Sequence, residues 1–479
     1  MPTKSSPVIV WFRKDLRLAD NLALLAAVEH GGPVIPLYIR ETSSGPLGGA
    51  QEWWLHYSLA SLSAALEKCG SRLLLRSGNA EETLRRLIAE TGADAVLWNR
   101  RYEPTGMATD KTLKEALGDD GLTVRSFAGH LLHEPSRVQT KSGGPYRVYT
   151  PFWRALEGGE EPHTPADAPQ SLKAPETWPK SEKLDDWKLL PVKPDWAKGF
   201  SEIWTPGENV AREKLDDFID GALKGYEEGR DFPAKDATSL LAPHLALGEI
   251  SPAAVWHATK GLSRHIPSND ISRFRKELVW REFCYHLLFH FPELDEKNWN
   301  DSFGAFGWRD DDTSFNAWTR GMTGYPIVDA GMRQLWKHGT MHNRVRMIVA
   351  SFLIKHLLID WRKGEKWFRD TLVDADPASN AANWQWVAGS GADASPFFRI
   401  FNPILQGEKF DAEGDYVRRF VPELERLERK YIHKPFEAPK EVLKKAGIEL
   451  GKTYPLPIVD HGKARERALA AYAEVKNNA

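Results

Sequence analysis

Between Met341 and Ser390 an apolar helical pattern carries Asn343, Arg344 and Arg346, followed by Asp374, Asp376, Asn380 and the pair Trp384 and Trp386. Two arginines beside a long apolar run require anions, either side chains or ligands, because an unanswered charge next to a core is costly. Asp374 and Asp376 are the candidate anions. An arginine facing Asp374 forms a partly buried pair, and a large polar cofactor would complete its hydrogen bonding. Asn343 and Met347 lie four apart and so share one helix face. Nine of the 19 tryptophans fall between Trp280 and Trp386, a concentration suited to a flat aromatic ligand or an electron path, while core filling explains any single one.

Two further segments carry weaker signals. Thr238 and Ser239 precede an apolar periodic stretch and read as a helix N-terminus, whose exposed N–H groups hold a phosphate or are simply capped. Glu277 and Trp280 share a helical face, with Arg281 four residues from Glu277. A hydrogen-bond acceptor beside an aromatic plate can read a base, with stacking worth about 1–3 kcal/mol. A surface Glu–Arg pair next to a half-buried tryptophan is the plainer explanation. Taken alone, the plain explanation is the stronger one for both segments.

The elements that must position these residues follow from length and pattern. A chain of 479 residues, 42% hydrophobic and 27% charged, divides into two or three folded regions. From Val8 to about Gly129, apolar runs (VIVWF, VIPLYI, RLLLR, AVLWN, TVRSF) alternate with helical patterns, which predicts a doubly wound parallel α/β domain over 1–130. The first strand runs into RKDLRLADN, with no glycine fingerprint or phosphate loop. Residues 131–207 read as a connector, with eight prolines and Trp178, Trp187, Trp196 and Trp204 between Pro162 and Pro206; the tryptophans imply that it lies on a folded surface. From 208 to 479 the pattern is helical almost throughout, with stretches at 208–224, 271–291, 326–338, 341–359 and 364–373, Pro326 in a first turn and Gly364 at a helix end.

The bulk properties restrict the function. A net charge of −2 excludes a generally basic nucleic-acid coat, so DNA binding requires a local patch. Cys69 and Cys284 are too few for a disulfide framework, a four-cysteine zinc site or a cysteine-ligated iron–sulfur cluster, and no metal is expected. The N-terminus is a poor signal peptide, and the longest apolar stretch, Met347 to Ile359, is broken by Lys355 and His356 and too short for a bilayer. A cytoplasmic protein with no membrane role is expected.

The segments TGYPIVDAGMRQL (323–335), MHNRVRM (341–347), LIDWRKGEKWF (358–368), WQWVAGSGADASPFFRIFNP (384–403) and QGEKFD (406–411) resemble the cryptochrome and photolyase family. The likeness runs from WFRKDLRLADN to YPLPIVDH and covers essentially the whole chain. It is nearest to the bacterial enzymes for cyclobutane pyrimidine dimers, with WWLHYSLASL (53–62) looking like the plant-cryptochrome branch.

The resemblance implies an all-α, FAD-binding C-terminal domain and light-driven repair of DNA. Tyr226, Thr238 and Ser239 match residues that hold the FAD phosphates. The chain continues with Leu240, Leu241 and Ala242 where relatives often have Arg-Leu-Ser, which leaves backbone N–H groups for that task. Arg346 and Asp374 match the ion pair at the flavin ring, Asp376 the second carboxylate near its polar edge, and Ala375 an FAD-binding position between them. Asn380 matches the residue facing flavin N5; as an amide it supplies no acidic proton, unlike the aspartate typical of plant cryptochromes, and so favours repair. Glu277, Trp280, Asn343, Arg344, Met347 and Trp386 match a pocket for the flipped lesion. Enzymes for (6-4) photoproducts have histidines where Asn343 and Met347 stand, so that activity is disfavoured. Trp384, Trp361 and Trp308 match an electron chain, and Arg230, Arg281, Arg344, Arg399 and Lys409 are the candidate DNA contacts. The expected partner is damaged duplex DNA, bound by a monomer. The expected antenna pigment is methenyltetrahydrofolate, although RYEPTGMAT (101–109) lacks the Asn-Glu of the familiar folate pocket, leaving another binding mode or no antenna open. The rivals are a blue-light photoreceptor, against which the short stretch after YPLPIVDH counts, and repair restricted to single strands.

Overall fold

Five strands, β1 (Val8–Phe12), β2 (Val34–Glu41), β3 (Leu74–Gly78), β4 (Ala95–Asn99) and β5 (Thr123–Phe127), form one parallel sheet in the order β3-β2-β1-β4-β5. The register sets Val8 against Val34 on one side and Ala95 on the other. β1 is buried at every position, as expected of a central strand covered on both faces. The four intervening helices are α1 (Leu22–His30), α2 (Gly49–Lys68), α3 (Ala80–Thr91) and α4 (Pro104–Asp119). Asn21 and Asn79 cap α1 and α3 by accepting from Leu24 N and Glu82 N. The computed structural model describes residues 6–42, 47–393 and 398–477, so part of the motif at 384–403 lies outside the described residues.

The loop after β1 explains why a glycine fingerprint is missing. Asn99 Nδ2 donates to Asp15 Oδ2 (2.7 Å) and Asn21 Oδ1 (2.8 Å). Arg13 pairs with Asp110 at 2.9 Å, and Arg101 with Asp110 at 3.2 Å and with Glu41. Side chains therefore fill the C-terminal edge at the strand-order reversal between β1 and β4, where a nucleotide sits in many such sheets.

By internal contacts the chain divides into two compact units: 1–195 with 204–224 and 239–292, and 196–203 with 225–238 and 293–479. The first contains the sheet, α5 (Tyr149–Glu157) and the long α6 (Ser268–His290). The proline-rich segment lies on the first unit's surface: Leu172 N donates to Cys69 O, Val34 N to Lys173 O and Glu182 N to Leu75 O. Trp187 and Trp204 are buried.

The second unit is helical and carries the largest apolar cluster, built around α7 (Pro326–His338), α8 (Asn343–Ser351), α9 (Trp361–Thr371) and α10 (Pro377–Ala388). The expected single helix over 341–359 is instead α8 followed by a π-helical turn, Phe352–His356. Leu357 N reaches Phe352 O, and Leu358 adopts φ 56°, ending the segment. The wider turn keeps Leu353, Ile354, Lys355 and His356 all buried, which an α-helical turn with its single inner face does not. Gly364, expected at a helix end, lies inside α9. A Cβ there would come within 2.2 Å of Trp384 Cη2 and 2.6 Å of Leu353 Cδ2, so the glycine makes room for an indole ring.

Candidate functional site

Helix α8 begins at Asn343 because His342 caps it, Nδ1 accepting from Arg344 N at 3.2 Å. This assigns the neutral imidazole with its proton on Nε2, and burial holds the His342 pKa down to about 4. The cap fixes the start of the helix that carries Asn343, Arg344, Arg346 and Met347. Asn343 is exposed, and the other three are half-buried.

Arg346 is held at both ends of its guanidinium. Nη2 donates to Asp374 Oδ1 (3.1 Å) and Oδ2 (2.9 Å), and Nε donates to Met341 O (2.7 Å). The expected pair between Arg346 and Asp374 is therefore present. Asp376 has a structural duty as well, since it caps α10 by accepting from Ser379 N at 2.7 Å; Ala375 between them is buried. One turn into α10, Asn380 Nδ2 donates to the carbonyl oxygen (3.0 Å) and Oε1 (2.8 Å) of Glu365. Glu365 is buried, also takes a 2.8 Å bond from Arg369 and has its pKa raised, chiefly by burial. Sequence spacing gave no hint of Glu365, because its partner lies fifteen residues away on another helix.

Arg344 lies 2.8 Å from Asp231 and stacks 4.5 Å over the Phe410 ring. Arg230 is buried, 5.4 Å over the Tyr226 ring, and Tyr226 is itself buried. Arg399 and Lys409 are exposed and lie over Phe401 and Phe410. Trp386 is half-buried, its Nε1 donating to Asp393 O at 3.1 Å.

Trp384 packs edge-on to Phe368 (5.0 Å) and against Gly364 of α9, three residues from Trp361. Trp361 is fully buried and donates from Nε1 to Asn298 Oδ1 at 2.9 Å. Trp308, half-buried, packs on Phe306 at 4.4 Å, and its neighbour Arg309 donates from N to Leu358 O, three residues before Trp361. The backbones bearing the three tryptophans are thus tied together.

The phosphate-binding expectation requires a correction at Thr238 and Ser239. Neither is an N-cap: the helix begins three residues after Ser239, at Ala242, with Leu241 in the cap position and no side-chain bond. Ser239 Oγ instead accepts from Leu241 N at 3.4 Å, and Leu240 adopts φ 53°. The left-handed residue postpones the helix, so the N–H groups available to an anion start later than the hydroxyls suggest.

In the first unit, Glu277 lies 3.9 Å from Arg273, not from Arg281. Arg281 turns inward, its Nη1 donating to His130 O (2.9 Å) and its Nη2 lying 2.8 Å from His130 Nε2. Trp280 is half-buried and stacks face to face on Tyr149 at 3.6 Å. Nothing in the spacing pointed to Tyr149, which is 131 positions away in the chain.

Residues 8–170 match the model of the DNA photolyase family, and residues 274–474 match that of the FAD-binding domain of DNA photolyase. The chain is 86% identical over 476 residues to a deoxyribodipyrimidine photo-lyase of Agrobacterium fabrum, covering 99% of each. It belongs to the DNA photolyase family. A bacterial class III photolyase from Agrobacterium tumefaciens superposes with a TM-score of 0.98 at 86% identity, covering 100% of this chain and 99% of that one. Cryptochrome-1 of Arabidopsis thaliana is 38% identical over 483 residues, covering 98% of this chain and 70% of the plant protein. Both the parallel α/β region and the helical FAD-binding region of the photolyase fold are therefore present. Among the described residues, no helix is long and apolar enough to cross a membrane, and no group of three or more His, Cys, Asp or Glu could hold a metal ion.

Proposed function

We propose that this chain is a light-driven DNA-repair enzyme that splits cyclobutane pyrimidine dimers with reduced FAD. One observation carries the proposal: Arg346 paired with Asp374, Asn380 oriented by Glu365, and Asn343 with Met347 in place of histidines lie on neighbouring helices of a chain 86% identical to a deoxyribodipyrimidine photo-lyase.

The residues fit a flavin. They offer a fixed cation, an amide oxygen and backbone N–H groups, which answer a ring edge that alternates donors and acceptors. FAD, when bound, supplies the light-absorbing electron donor. Arg346, with Asp374, Ala375 and Asp376, holds its ring; Tyr226 and the 238–242 segment hold its phosphates. Asn380 turns both N–H groups toward Glu365 and so offers Oδ1 as an acceptor. Trp384, Trp361 and Trp308 conduct electrons inward from the surface.

Toward DNA, Glu277 and Trp280 contact the flipped dimer through a hydrogen bond and stacking, and Asn343, Arg344, Met347 and Trp386 contact it as well. Flipping costs a few kcal/mol, least at an already unstacked lesion. Arg230, Arg344, Arg399 and Lys409 face phosphates, reconciling DNA binding with a net charge of −2. Duplex DNA as the preferred substrate, a monomeric cytoplasmic enzyme and a methenyltetrahydrofolate antenna complete the proposal.

The test is illumination of the reduced protein with a thymine dimer in duplex DNA, in single-stranded DNA, and with a (6-4) photoproduct. Recovery of intact thymines from the first is expected. A failure to restore thymines from any dimer substrate would leave the photoreceptor reading in its place.

A further inference from the structure

Trp280 is not a free plate. Its ring and that of Tyr149 lie 3.6 Å apart at an interplanar angle of 4°. Tyr149 is itself buried and sits in the first turn of α5. Its hydroxyl donates to Lys276 O at 2.7 Å, on α6 one turn before Trp280. Phe283 stands edge-on to both rings, 5.9 Å from each. Lys276, Trp280 and Phe283 follow the i, i+4, i+7 spacing of one helical face, so Tyr149 docks along that face at three points.

From this geometry we infer that Tyr149 is a positioning residue for lesion recognition: it covers one face of Trp280, immobilises the indole and leaves only the opposite face for a base. The inference rests on the proposed contact between Trp280 and the dimer. A base stacked on the Tyr149 side would need the van der Waals spacing that the tyrosine already occupies. An indole half exposed on a helix ordinarily samples several rotamers, and binding a base would have to immobilise it. With Tyr149 in place that freedom is already lost in the unbound protein, so the stack contributes to affinity without a further entropic cost. The hydroxyl sets the position of the tyrosine ring along α6, but the ring supplies the stacking.

The test uses the FAD-loaded full chain and a gel-shift titration with an oligonucleotide containing one thymine dimer, beside the undamaged oligonucleotide. Tyr149→Phe keeps the ring and is expected to retain dimer affinity within about twofold. Tyr149→Leu is expected to weaken dimer binding about three- to tenfold, the range given by one aromatic pair, while leaving undamaged DNA binding and repair at saturating substrate unchanged. In a Trp280→Ala background, Tyr149→Leu is expected to add nothing. Tyr149→Met replaces Tyr149→Leu if the latter yields no soluble holoprotein. Equal losses on damaged and undamaged DNA, or an undiminished Tyr149→Leu effect without Trp280, would overturn the inference while leaving the Trp280 contact standing. Unchanged dimer affinity in Trp280→Ala alone would overturn both.

Discussion

Asn380 turns its whole amide nitrogen to Glu365, at 2.8 Å from Oε1 and 3.0 Å from the carbonyl oxygen. A carbonyl can only accept, so the amide orientation follows without ambiguity, and Oδ1 faces away from Glu365. The residue proposed to face the flavin is thus aimed by a carboxylate on α9.

Replacing Asn380 with Asp puts two carboxyl groups in contact at this place, where burial already raises the Glu365 pKa. Like charges at that separation do not both ionise, so one proton is shared and the pair titrates together. Asn380→Asp is expected to make FAD photoreduction pH-dependent over the range in which the holoprotein is stable, with Asn380→Asp/Glu365→Gln removing the dependence. Stopped-flow absorbance after illumination across that range checks it.

Arg346→Lys is expected to weaken FAD retention by about tenfold or more, because one ammonium group cannot serve both Asp374 and Met341 O from the geometry seen here. Flavin absorbance per protein after gel filtration is the measurement, with Asp374→Asn as the partner variant. Retention at the original level in both would show that the pair is structural.

Trp361→Phe is expected to slow photoreduction of oxidised FAD by more than about tenfold while leaving repair by chemically pre-reduced enzyme intact. Loss of both together would indicate that Trp361, fully buried in the core, acts only by packing.

Glu282, on α6 two residues beyond Trp280, provides a test by pH. Burial pushes its pKa up to about 7, against Arg281 and two bonds from Leu132 N and His133 N that favour ionisation. Because the folded value lies above the unfolded one, the folded state binds the extra proton. The stabilisation is complete below about pH 4.5 and is lost as pH rises through about 7. At roughly 1.4 kcal/mol per pH unit the loss approaches about 3 kcal/mol. Glu282→Gln is expected to gain stability relative to the parent as pH rises from 5 to 8, read as the difference in urea midpoints. A constant difference across that range would refute the assignment.

The fold was legible because parallel strands buried on both faces read as unbroken apolar runs: VIVWF and AVLWN each match a strand. The site was legible where partners fall in a specific motif, as with Arg346 and Asp374. It was illegible where the deciding feature is a backbone angle or a distant contact. The left-handed Leu240 moved a helix start past Thr238 and Ser239. Gly364 looked like a terminator because a glycine that accommodates a ring and one that ends a helix are the same letter. Glu365, Asp231 and Tyr149 act through tertiary contacts with no spacing to betray them.

The ion pair between Arg344 and Asp231 bears on how binding responds to ionic strength. An arginine that meets a phosphate only by leaving a carboxylate exchanges one anion for another. On the proposed contact of Arg344 with DNA, Asp231 loses its partner and attracts a cation from solution, offsetting one released from the DNA, so the expected salt slope is shallower than the number of arginines at the interface implies. Recognition then leans on the lesion itself, and undamaged DNA, which offers only its phosphates, has little with which to compete.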